Sequence, residues 1–308
     1  VAIVLAILAI AVFVSLRIDL GPSVRALAER QATRQVNRAV HIGNLSIRVA
    51  RGRVELDDLL IDGLHEGDRP FFEAKKLSVS LDWSKAIARR PEFIITSVEM
   101  TDWAMVVEKW PDTDSFLRFR REPGDGRPPG PRRYTSTLKY FHAYRGQFTY
   151  EDHEAPWGIV APNIDITITN GAGYNGDATF HGGLVSIQDY VPMWADFNAH
   201  FVIDGSKLRL DRIAMNTDGA VSSAAGELDL DRWPEMTYQV KSRVQFQRMR
   251  ELFFKDESWA LSGAGDFTGV FHLFKGGHEL TGDFTSDVAG LYDYRFASLF
   301  GSLRWTRK

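Results

Sequence analysis

Over residues 235–247 the side chains alternate in character. Met236, Tyr238, Val240, Ser242, Val244 and Phe246 fall on one side of an extended chain, and Glu235, Thr237, Gln239, Lys241, Arg243, Gln245 and Gln247 fall on the other. Ser242 is the one lapse on the apolar side. Strands usually run ~5–6 residues, so a period of two held for more than twice that length predicts a long, broad sheet with one apolar face rather than a compact barrel.

The same texture fills most of the chain. Strand-like runs occupy 45–49, 54–61, 77–81, 93–98, 104–107 and 134–144. Further on, Ile164, Ile166 and Ile168 alternate with Asp165, Thr167 and Thr169, and Phe197, Ala199, Phe201 and Ile203 recur two apart. Leu208 and Leu210 alternate with Lys207, Arg209 and Asp211, and Leu280, Phe284 and Val288 share a phase against Thr281, Asp283, Thr285 and Asp287. After residue 40 only 83–89 and 246–254 read as short helical breaks, so no long amphipathic helix is at hand to cover a large apolar face. A weak repeat aligns VELDDLLID (54–62) with LRLDRIAMN (208–216). In both, the apolar phase slips by one after the Leu-Asp pair, which predicts a β-bulge.

The first sixteen residues, VAIVLAILAIAVFVSL, carry no charge and are followed by Arg17. They fall somewhat short of spanning a ~30 Å hydrocarbon core. Because the run opens on Val1 rather than Met, residues upstream are expected, and the stretch reads as the tail of an uncleaved transmembrane helix. Gly21-Pro22 then breaks the helix, and Val24, Leu27, Ala28, Ala32, Val36, Ala39 and Val40 recur at roughly helical spacing. This predicts an amphipathic helix at the membrane surface or packed on one end of the sheet. Arg17, Arg25, Arg30, Arg34 and Arg38 outnumber Asp19 and Glu29, a flank that on its own favours a cytoplasmic body.

A chain of 308 residues with 44% hydrophobic and 12% aromatic side chains can bury one sizeable core or two modest ones. A net charge of -3, from 37 basic and 40 acidic groups, gives no whole-molecule attraction for nucleic acid. The absence of cysteine excludes disulfides, thiolate metal sites and cysteine nucleophiles. GAGYNG (171–176) matches a dinucleotide fingerprint in form, but a strand-like run follows it where a helix is needed, so it reads as a hairpin turn. Glu151, Asp152, His153 and Glu154 offer ligand and acid-base groups, yet neighbours on a strand point apart, and the cluster reads as a solvated turn before Pro156. EPGDGRPPGPRR (122–133) reads as a loop, and Arg118, Arg120, Arg121, Arg127, Arg132 and Arg133 around it read as solvated, with anionic headgroups as the functional alternative. No catalytic residue, metal site or cofactor is assigned, and the chain is read as a non-enzyme.

The anchor, the amphipathic helix and GNLSIRVARGRVELDDLLIDG (43–63) together resemble the AsmA-like superfamily and, within it, TamB-type proteins. The resemblance continues through RPFFEAKKLSVSLDW (69–83), SVEMTDWAMVVEKW (97–110), TYEDHEAPWGIVAPNIDITI (149–168) and RWPEMTYQVKSRVQFQRMRELFF (232–254), and so covers most of the chain. It implies an inner-membrane protein with a single anchor and its body in the periplasm, against the basic flank. It also implies an elongated, taco-like β-groove that carries phospholipid between inner and outer membrane, with an outer-membrane β-barrel protein as a partner of the family.

The expected fold is therefore mainly β: a transmembrane helix (1–20), an amphipathic helix (21–41), a first section of curved, antiparallel-rich sheet (42–119), a flexible loop (120–133), and a continuing β-groove (134–308) that reads as cut short. Candidate lipid contacts are Ile164, Ile166, Ile168, Phe201, Ile203, Tyr238, Val240, Val244 and Phe246. They need no stereospecific chemistry, because each methylene taken from water contributes ~0.8 kcal/mol. The competing readings are a non-enzymatic scaffold assisting outer-membrane protein assembly by strand addition at sheet edges, and an outer-membrane barrel with its apolar face to lipid.

Overall fold

Runs that keep a period of two over 9 to 17 residues fold as long strands in a computed structural model of the chain. It describes residues 21–48, 52–82, 93–116, 136–154, 157–171, 173–187, 190–229, 235–274 and 277–307. These form sixteen strands and two helices, in two compact units that divide between Thr149 and Tyr150. The anchor expected over 1–20, the helical break at 83–89 and the loop at 120–133 lie outside the described residues. Among the described residues no helix is long and apolar enough to cross a membrane.

In the first unit, helix α1 (Gly21–Val36) precedes β1 (Val40–Arg48), β2 (Arg53–Ile61), β3 (Phe72–Asp82), β4 (Phe93–Lys109), β5 (Ser136–Leu138) and most of β6 (Tyr140–Asp152). Strands β1 to β4 pair antiparallel in chain order, β6 follows β4, and the short β5 runs parallel beside β4. The runs at 93–98 and 104–107 are one strand rather than two. Asp102, at φ 50°, absorbs the change of phase that separates them in the sequence.

The same change occurs at one level across four strands. The apolar row Ile42, Leu59, Ala74, Trp103 is followed by Leu45, Leu56, Leu77, Met100, three residues away in every strand. Asp58 takes φ 52° there and Arg145 in β6 also takes φ 52°. A matched slip of one residue keeps each apolar side chain on a single face. Arg145 closes the level with a bidentate bond, donating to Asp102 at 2.7 and 2.9 Å. The guanidinium holds the Asp102 carboxyl below the usual carboxylate range.

Helix α1 stops at Val36, earlier than residue 41, because Asn37 turns left-handed at φ 55° and β1 begins at Val40. Val24, Ala28, Ala32 and Val36 are its half-buried side, whereas Leu27 is exposed. Three side chains four residues apart bind the edge of β1. Arg25 donates to the Gly43 carbonyl (2.7 Å), Glu29 accepts from the Ile42 N–H (2.9 Å), and Thr33 accepts from the Val40 N–H (3.1 Å). The helix occupies an edge that would otherwise invite another strand.

In the second unit, β7 (Trp157–Asn170), β8 (Tyr174–Ile187), β9 (Met193–Asp204), β10 (Lys207–Thr217), β11 (Ala220–Asp229), β12 (Met236–Gln245), β13 (Leu261–Phe274) and β14 (Gly277–Leu291) pair in chain order, all antiparallel. Strands β15 (Tyr294–Phe296) and β16 (Leu299–Arg307) share the outer side of β14. Helix α2 (Phe246–Phe253) sits between β12 and β13, where a helical break is expected. The end of GAGYNG, from Tyr174 to Gly176, opens β8, and Asn170 stands opposite Tyr174 across the β7–β8 hairpin.

Candidate apolar binding face

In β12 the predicted alternation is complete. Met236, Tyr238, Val240, Ser242 and Val244 are half-buried while Thr237, Gln239, Lys241, Arg243 and Gln245 are exposed. Directly opposed residues of antiparallel strands share a face, so the register extends this side of β12 across its neighbours. One row runs Ile168, Gly176, Phe201, Leu210, Gly226, Tyr238, Phe271, Leu280, Trp305. The next runs Ile166, Ala178, Ala199, Ile213, Ala224, Val240, Gly269, Gly282, Leu303. Ile203 stands in a third row with Tyr174, Leu208, Leu228, Met236 and Leu273.

The nine sequence-predicted residues thus belong to one side of the second unit. Val244 opposes Ala220 and Gly265, and the Phe246 ring lies over Gly265. Ile164 sits beside Asn163, whose φ of 52° marks an interruption of the β7–β8 ladder. Ile164 and Phe201 are buried, each 8% exposed, and the other seven are half-buried. The phase slip of the repeat is a bulge in β10, where Asp211 and Arg212 stand against His200 alone between the pairs of Leu210 with Phe201 and of Ile213 with Ala199. It brings Ile213 and Met215 to the side of Leu208 and Leu210.

Val288 departs from the expectation that it shares a phase with Leu280 and Phe284. Between Thr285 and Val288, β14 advances three residues while β13 advances two, from Asp266 to Ala264. Val288 is thereby turned to the polar side, 60% exposed, and Ala289 takes its place on the apolar one, 3% exposed.

The lapse at Ser242 is answered across the ladder. Its hydroxyl lies 2.8 Å from that of Ser222, so each satisfies the other without a partner from outside. Burial pushes the Tyr238 phenol above its ordinary range and keeps it a neutral hydroxyl. On the opposite face, Lys207 pairs with Glu227 (2.7 Å), Arg209 with Asp211 (2.6 Å) and Arg243 with Asp266 (2.8 Å). His200 meets Asp177 at 3.0 Å on that same polar side. The solvated-turn reading of the acidic cluster holds only for His153 and Glu154: Glu151 and Asp152 end β6, Asp152 is buried at 7% exposed, and it accepts from the Glu154 N–H at 3.0 Å.

Helix α2 closes one end of the face. Leu252 is its buried residue, 1% exposed, and its carbonyl accepts from the Val191 N–H at 3.2 Å. The Phe253 ring meets Tyr190 edge-on, with centroids 5.0 Å apart. Arg248 donates to both oxygens of Asp218 (2.8 and 2.5 Å) and to Glu251 (2.7 Å). These bonds hold the guanidinium above its usual pKa and the Asp218 carboxyl below the carboxylate range.

Sequence reasoning missed Phe180, Phe267, Phe271, Leu303 and Trp305 on this face, and read Phe197 in the apolar phase without naming it as a contact. Phe267, Gly269, Phe271 and Leu273 do stand two apart, but glycine conceals the period. Phe180 and Phe197 stack at 5.3 Å with their planes 10° apart. The geometry defines a broad amphipathic sheet, with one side of hydrocarbon and self-satisfied hydroxyls and the other of ion pairs. Compared with known proteins, the chain matches no family model and no curated protein.

Proposed function

We propose that this chain is an inner-membrane-anchored periplasmic protein whose apolar β-face carries phospholipid acyl chains between the inner and outer membranes. The observation that carries the reading is the β12 face and its rows, which run apolar across β7 to β16 and, apart from buried positions such as Ala199, Phe201 and Leu228, remain half-buried or exposed. Acyl chains need only such a surface. At ~0.8 kcal/mol per methylene, contact with a few carbons of each chain gives useful affinity with no catalytic group. The anchor-like segment 1–16 and the resemblance of the stretches quoted above to AsmA-like, TamB-type proteins support the membrane setting and the direction of the proposal.

Photo-crosslinkers test it. A probe at Val240, half-buried on the apolar side, captures phospholipid in membranes, and a probe at its neighbour Lys241, exposed on the other side, does not. Equal labelling at the two positions overturns the proposal.

A second reading, a scaffold that assists outer-membrane protein assembly by strand addition, draws on β16, where Leu299, Phe300, Leu303 and Trp305 are exposed. The β1 edge offers no such surface, since α1 already fills it. Native mass spectrometry separates the readings: bound phospholipid favours the groove, and a bound protein with no lipid favours the scaffold.

A further inference from the structure

Strand side chains normally stand away from the sheet. On this face several aromatic rings instead recline over glycines: Phe201 over Gly176, Tyr238 over Gly226 and Phe284 over Gly301 of a neighbouring strand, Phe267 over Gly269 of its own strand and Gly282 of the next, and Phe246 of α2 over Gly265. In each case a β-carbon on the glycine would come within 3 Å of the ring. The arrangement does two things. It lowers the profile of the bulkiest side chains, and it covers strand backbone that glycine, having no side chain, would otherwise leave open.

We infer that these reclined rings set the depth of the apolar face and act as specificity-determining residues, fixing how closely a straight acyl chain can lie along the strands. The inference rests on the acyl-chain reading above. Phe284 and Gly301 make the cleanest instance, because the three atoms nearest a methyl at Gly301 all belong to the Phe284 ring, the first two at 2.9 Å. A larger residue there lifts the ring into the space of the occupant and leaves the backbone unstrained.

The test places a photo-crosslinker at Leu303, on the same strand and face, in the full chain mixed with vesicles of phosphatidylethanolamine and phosphatidylglycerol. In Gly301→Ala, capture falls roughly tenfold, what losing contact with about two methylenes costs. The double variant Gly301→Ala with Phe284→Ala regains the parent level, because the obstructing ring is gone. Phe284→Ala alone captures at least as much as the parent, and decides the matter if Gly301→Ala does not fold by circular dichroism. Unchanged capture in Gly301→Ala, a double variant that stays low, or a loss in Phe284→Ala each overturns the inference. A parent chain that captures lipid at neither Leu303 nor Val240 overturns the acyl-chain reading, and the inference with it.

Discussion

Shortening Leu252 to alanine measures how α2 is held. Eight residues are too few for a helix to persist in water, where ~12–15 are marginal, so α2 exists because it is docked. Its polar contacts contribute little of that docking: Arg248 is 38% exposed in its pair with Asp218, and exposed pairs are typically worth ~0–1 kcal/mol. Leu252, 1% exposed, carries the larger share. Removing three carbons at ~0.8 kcal/mol each costs about 2.4 kcal/mol, and the cavity left behind raises this to about 3–5 kcal/mol. At about 1.4 kcal/mol per decade, amide protection within α2 falls by two decades or more. Residue-resolved hydrogen exchange reads this directly, with the central amides of β12, from Val240 to Ser242, as the internal control. Protection in α2 that stays within about tenfold of the parent refutes the reasoning. So does an equal loss at the centre of β12, which would make the helix part of the global unfolding unit rather than a locally docked plug.

Replacing Glu29 with alanine and Thr33 with valine leaves the Ile42 and Val40 N–H groups open on the β1 edge; concentration-dependent association is expected by sedimentation velocity, and a chain that stays monomeric at every concentration refutes the role given to α1. The Asp218 carboxyl is held low by Arg248, so its contribution is complete above the ordinary carboxylate pKa of ~3.9 and is lost as pH falls through the lower folded value. Protection of α2 is therefore level above about pH 4 and drops below it, while Asp218→Asn removes its share of the acid step and leaves that of Glu251, which Arg248 also holds low; a parent whose loss is centred above about pH 5 contradicts the assignment.

The β12 face was fully legible because its period is unbroken for ten residues and its lapse, Ser242, is small enough to be paired across the ladder with Ser222. The phase slips after the two Leu-Asp pairs were legible too, but only the one in β10 is the expected bulge; at Asp58 the register is unshifted and a left-handed residue turns the phase. Val288 was misplaced because the slip in β14 falls among Ser286 and Asp287, where no apolar residue marks the phase. The reclined rings were invisible for a related reason: glycine has no side chain with which to announce a face, and only pairing between distant strands shows that Gly282 and Gly301 stand under Phe267 and Phe284. The edge-binding role of Arg25, Glu29 and Thr33 was likewise hidden, because their spacing of four reads as the polar side of an amphipathic helix until β1 is placed against it.

Bulges and reclined rings serve one end. A strand of 14 or 15 residues, such as β13 or β14, accumulates twist, and a bulge bends it and sharpens that twist locally at the cost of turning the remaining side chains over. In the first unit the slips occur at one level in four strands, so the face stays apolar through the bend. In the second, glycines let the rings lie down instead of interlocking with a facing layer. A core built for self-packing needs neither device, since interdigitating side chains would bury one another. A half-wet apolar face forgoes part of that burial energy, and an occupant that binds only the folded sheet returns it: at a concentration 100-fold above its dissociation constant it adds about 2.7 kcal/mol. Stability that rises with added phospholipid, and by less in Gly301→Ala, is the thermodynamic counterpart of the crosslinking result, and it depends on the same rings.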